Sequence, residues 1–110
     1  MIIKNLKMVK GDTFSFELYL PTDTFTNVTG IYFTMKRKGS DAVNLFQEKI
    51  NDGVEYAAPG TWRVKVSPAD TKNVPAGTYD YDLSICSDAD VYTILIGKMQ
   101  LMQDVTMEDV

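Results

Sequence analysis

Apolar and polar positions alternate with a period of two along most of this chain. Over 13–20, Phe14, Phe16, Leu18 and Leu20 share one face, and Thr13, Ser15, Glu17 and Tyr19 share the other. That pattern predicts a half-buried strand, bounded by Gly11-Asp12 and Pro21. Over 31–38, Ile31, Phe33 and Met35 oppose Tyr32, Thr34, Lys36 and Lys38 in the same way. The polar stretch 21–30 between them is too long for a tight hairpin, so the two strands are expected in different sheets. Segment 43–50 alternates weakly, as an edge strand does. Asn51-Asp52-Gly53 and Pro59-Gly60 are turn signals that predict a loop over 51–60.

The second half is more regular. Trp62, Val64 and Val66 point one way over 61–67, with Thr61, Arg63 and Lys65 opposite. Ser67 then suits a helix N-cap, Pro68 the first helical position, and Asp70 the positive end of the dipole. One short helical turn is expected over 68–73, ended by Pro75. Over 78–86, Tyr79, Tyr81, Leu83 and Ile85 oppose Thr78, Asp80, Asp82, Ser84 and Cys86. A turn at 87–90 leads to a last strand, 91–102, apolar on both faces. Gly97 is a candidate bulge, where the inward face passes from Tyr92, Ile94 and Ile96 to Met99 and Leu101. Residues 1–9 add a first strand, and the acidic end 104–110 is expected to be frayed or bound. Six to eight strands, frequent turns and no βαβ rhythm predict an all-β fold. The expected architecture is an immunoglobulin-like antiparallel β-sandwich, one domain over 1–110.

Composition narrows the function classes. At 110 residues and 45% hydrophobic content the chain has enough apolar surface for one core. Eleven basic against 15 acidic residues give a net charge of -4, the wrong sign for a duplex nucleic-acid binder. Lysines interrupt the apolar N-terminus, and no apolar run is long enough to span a bilayer. One cysteine, Cys86, rules out an internal disulfide. Together these predict a soluble chain folded in a reducing compartment, with no membrane insertion. The absence of histidine excludes Ser-His-Asp and Cys-His catalysis and histidine-ligated zinc. No catalytic residue, cofactor or metal is expected.

The remaining candidates each have a plainer role. Trp62 is either an aromatic platform or a core anchor, and its inward position favours the anchor. Tyr79 or Tyr81 fits a tyrosine corner. Asp80 and Asp82 share an outward face; as acid and base for glycoside hydrolysis they would need a cleft and unlike surroundings, and a solvated face is favoured. Asp88-Ala89-Asp90 opens like a calcium loop but lacks its later ligands, so a β-turn is expected. Lys36-Arg37-Lys38, followed by Gly39-Ser40, reads as an edge guarded by charge. Cys86 has no base to activate it. Tyr19, Tyr32, Tyr56 and Tyr92 are the residues a shallow carbohydrate site would use.

Several runs resemble a known family. They are Gly11-Asp12-Thr13-Phe14, Val66-Ser67-Pro68-Ala69-Asp70-Thr71, Val74-Pro75-Ala76-Gly77-Thr78-Tyr79-Asp80-Tyr81-Asp82-Leu83, Val91-Tyr92-Thr93-Ile94-Leu95-Ile96-Gly97-Lys98 and Asp104-Val105-Thr106. Together they resemble the N-terminal domain family of phage baseplate upper proteins and related small tail or prophage proteins. The resemblance implies a sandwich domain with a non-enzymatic, structural role in a phage tail. Its implied partners are other tail or baseplate proteins, or copies of itself. It also implies synthesis in the bacterial cytoplasm followed by incorporation into the virion. It carries over no binding residues, because the matched positions are turns and core. Baseplate upper proteins continue into a long second part, which this sequence does not contain.

Overall fold

The computed structural model describes residues 1–38 and 43–103. Gly39-Ser40 and the acidic end 104–110, with Asp104-Val105-Thr106, lie outside them. The elements are β1 (Ile2–Ile3), β2 (Leu6–Val9), β3 (Phe14–Tyr19), β4 (Val28–Lys36), β5 (Phe46–Ile50), β6 (Gly53–Ala58), β7 (Thr61–Val66), α1 (Pro68–Thr71), β8 (Gly77–Ser87) and β9 (Asp90–Met102).

Hydrogen bonding runs in the order β1-β9-β8-β4-β5-β6-β7-β3, with β2 also on β9. The path folds over on itself. Among the described residues β3 pairs only with β7, yet the Phe16 ring meets the Phe33 ring of β4 edge-on at 5.4 Å. Strands β3, β7 and β6 therefore face the β9-β8-β4-β5 layer across a core. This is the expected separation of the segments around 13–20 and 31–38 into opposite layers.

Alternation places the core. Ile31, Phe33 and Met35 from β4, Leu83 and Ile85 from β8, Val64 and Val66 from β7, and Met99 and Leu101 from β9 are buried between the layers. Burying such side chains stabilises by about 1.5–3 kcal/mol each. The outer face of β8 carries Asp80, Asp82 and Ser84, each half-buried, as the alternation required.

Three expectations need correction. Residues 51–60 are not loop throughout: turns at Asn51-Asp52 and Pro59-Gly60 flank β6, whose Val54 is fully buried. The strand at 43–50 is not an edge, since β5 lies between β4 and β6, with Lys49 beside Gly53 and Ile50 beside Val54. Strand β9 slips register between Thr93 and Leu95, so the extra residue is Ile94 and not Gly97. That slip turns Ile96 outward beside Asp82, while Leu95 joins Met99 and Leu101 on the inward face, beside Leu83 and Tyr79. The N-terminal strands run parallel to β9, in an otherwise largely antiparallel fold.

Gly97 has a different task. A Cβ there would lie 2.0 Å from the Lys4 carbonyl oxygen, so only glycine lets the N-terminal segment lie against β9. Three bonds hold that crossing. Lys4 N–H donates to the Ile96 carbonyl at 2.9 Å, Lys98 N–H donates to Asn5 Oδ1 at 3.1 Å, and the Tyr81 hydroxyl donates to the Lys4 carbonyl.

Candidate functional site

The helical turn and the strand after it form the best-defined local structure. The Ser67 backbone N–H and hydroxyl both donate to Asp70, at 3.0 and 3.1 Å, which fixes the turn's entry. Thr71, fully buried, accepts the Gly11 N–H at 2.9 Å and ties the helical turn to the turn between β2 and β3. The turn is shorter than expected, ending at Thr71 instead of residue 73. After it the Tyr79 hydroxyl donates to the Pro75 carbonyl four residues upstream. That is a tyrosine corner, and Tyr79 is the residue that makes it. Two residues on, where antibody domains place the second cysteine, stands Tyr81. Its ring packs on Phe33 at 5.6 Å, and Phe33 packs on Phe16. An aromatic stack thus bridges the layers where a disulfide would.

Asp80 and Asp82 do share the outer face of β8. Asp80 is opposite Lys98 in register and forms an ion pair with it. Asp82 lies half-buried between Ile96 and Thr34; burial raises its carboxyl above the ordinary range, and Lys36 opposes the rise. The two line an open groove of about 330 Å³ with Thr34, Lys36 and Lys98. A neighbouring hollow of about 450 Å³ shares Thr34, Lys36 and Asp82 and adds Tyr32, Asn44 and Gln47. Lys36 therefore guards no sheet edge: β4 is flanked by β8 and β5, and the lysine stands opposite Asp80.

A second carboxylate pair has no signal in the sequence. Glu48 on β5 is 6% exposed and hydrogen-bonded to Asp70. Burial, then the Asp70 hydrogen bond and charge, push its carboxyl up to about 8. Burial alone would also raise Asp70, but hydrogen bonds from Glu48 and Ser67 outweigh it and hold Asp70 low. One proton is thus shared between acids of opposite tendency. Because Glu48 is enclosed, the pair is placed for holding structure together and not for meeting a substrate.

The aromatic candidates separate. Tyr32 stays on the outer face of β4. Tyr56 and Trp62 pair edge-to-face at 5.4 Å on β6 and β7, and Tyr92 pairs with Phe25 at 5.6 Å. Trp62 is half-buried against the rim of the core, and Tyr19 lies exposed beside Gly60. Trp62, Tyr56 and Phe25 line a further groove of about 260 Å³. Asp88 and Ala89 occupy the tip of the β8–β9 hairpin with φ of 50° and 69°, a two-residue turn with both central residues left-handed, the backbone signature of type I′. Asp88 accepts the Thr26 hydroxyl. Cys86 is a half-buried free thiol.

No protein-family model and no curated protein matches the sequence. Among solved structures, NK cell receptor Nkp44 superposes with a TM-score of 0.54 at 14% identity, covering 94% of this chain and 100% of that one. Murine CRIg superposes with a TM-score of 0.51 at 11% identity, covering 91% and 92%. At that identity the likeness is one of fold. Together with the layer arrangement and the tyrosine corner, it gives this chain the immunoglobulin-like β-sandwich fold.

Proposed function

We propose that the chain is a non-enzymatic assembly module of a bacteriophage or prophage tail, acting through protein–protein contacts. The reading rests on the resemblance to baseplate domains. The observation that carries it structurally is the open N-terminal edge. Among the described residues β1 and β2 pair only with β9, and no described strand covers their outer side. Met1, Ile2 and Ile3 there are 76%, 64% and 73% exposed, and Val91 of β9 is 69% exposed. An apolar open edge invites another strand. Partners on this reading are other tail proteins or further copies, in the virion after synthesis in the bacterial cytoplasm. A stable contact would bury about 1,200–2,000 Å².

The test is solution mass by size-exclusion chromatography with light scattering, over a wide concentration range. A discrete oligomer is expected, and the double substitution Ile2→Lys, Ile3→Lys should return it to monomer. A monomer throughout overturns self-assembly by this chain, and a coding sequence with no tail genes beside it overturns the tail assignment.

The outer-face hollow favours a second reading, a carbohydrate-binding module. Tyr32, Gln47, Asn44 and Asp82 there combine a ring with hydrogen-bonding groups. On that reading Asp82→Asn weakens glycan retention and leaves solution mass unchanged.

A further inference from the structure

The groove beside Trp62 differs in character from the outer face. Tyr56, Trp62 and Phe25 line it with aromatic rings, and Thr22 and Asn27 from the 21–27 segment supply polar groups. Tyr56 is 61% exposed. Phe25 is backed by Tyr92.

Charge around this groove is one-sided. Among the described residues that line it, none is basic. Asp23 follows Thr22 and accepts the Thr24 hydroxyl. Asp88 accepts the hydroxyl of Thr26, a lining residue. Asp90 accepts the hydroxyl of Tyr92 at 3.4 Å. All three acids are exposed.

We propose that this groove binds an extended arginine-bearing segment of a partner protein, the guanidinium stacking on Tyr56 and Trp62 inside a rim of Asp23, Asp88 and Asp90. Aromatic rings attract a cation over their faces, arginine most readily because it is planar and weakly hydrated. Aromatic-lined grooves also suit extended, proline-containing backbone. The acidic rim adds complementarity and suppresses anionic partners. The groove uses none of the residues Met1, Ile2, Ile3 and Val91 of the N-terminal edge, and the proposal does not depend on that edge.

Trp62 is the chain's single tryptophan, so its fluorescence reports the groove directly. The full chain is titrated with a peptide of repeating Pro-Pro-Arg, with the same peptide carrying Glu for Arg, and with a chitooligosaccharide. A saturable Trp62 response to the arginine peptide alone is expected, weakening about tenfold as salt rises from about 0.05 to about 0.5 M. Labelled-peptide anisotropy then compares variants. Tyr56→Ala should weaken binding about tenfold, as loss of a cation–π contact would, while Tyr56→Phe retains it. Equal binding of the acidic peptide, a response only to the sugar, no response, or full binding by a folded Tyr56→Ala variant each overturns the proposal.

Discussion

Ala89 sits at a backbone position built for glycine. With φ of 69° its Cβ crowds the following carbonyl, at a cost of about 1–2 kcal/mol for a residue other than glycine or asparagine. Asp88, also left-handed, is a residue that tolerates the region better. Ala89→Gly should therefore stabilise the fold by about 1 kcal/mol, seen as a rise of about 4 °C in Tm by calorimetry. No gain would mean that the added freedom of the unfolded chain cancels the relief. The sequence marks the place but not the strain, since Ser-Asp-Ala-Asp is plainly turn chemistry and only the strand register forces both central residues left-handed.

At the scale of elements, local pattern was a good guide wherever one strand face met the core. Strands β3, β4, β7 and β8 were legible because their alternation is uninterrupted, and the helical turn because Ser67, Pro68 and Asp70 act on their own neighbours. β6 was missed because turn residues flank it so closely that Val54-Glu55-Tyr56 leaves too short a pattern to weigh against them. The bulge was misplaced because Gly97 resembles a bulge residue, while its real constraint comes from Lys4, far away in sequence. That constraint is testable. Gly97→Ala should detach the N-terminal strand from β9, so that hydrogen exchange at the Lys4 and Lys98 amides quickens while the amides of Ile31 and Leu83 keep their protection. Uniform quickening would mean that the N-terminal strand is integral to the core. Of the candidate sites, the shared face of Asp80 and Asp82 was readable from alternation. The Phe25, Tyr56 and Trp62 groove was not, because it is assembled by loop closure.

For the whole molecule, stability depends on pH through Glu48 and Asp70, which join β5 to the turn after β7. The folded chain holds the Glu48 proton up to about pH 8, whereas the unfolded carboxyl loses it near 4.5. Between those values the folded state binds more protons, so this group's contribution falls as pH rises. Asp70 acts oppositely: its depressed carboxyl contributes above its unfolded value, and that contribution is lost as pH falls through the folded one. Tm should thus decline from about pH 6 to about pH 9. Glu48→Gln keeps a donor toward Asp70 without the ionisation, and should raise stability at about pH 9 by on the order of 1–3 kcal/mol. Parallel pH profiles for the two proteins would remove the pair from this role.

The parallel pairing of β1 and β2 with β9 also decides how the molecule bears load. Tension drawing Met1 and Met102 apart pulls the two partners in opposite senses along a common axis. The ladder from Ile2–Leu95 to Val9–Met102 is then sheared as a unit. Its bonds share the force and must fail together, whereas a hairpin pulled from its open end peels one bond at a time. No covalent crosslink backs them. Resistance to stretching therefore resides in that single seam, and once it parts the sandwich behind it can extend to its full contour.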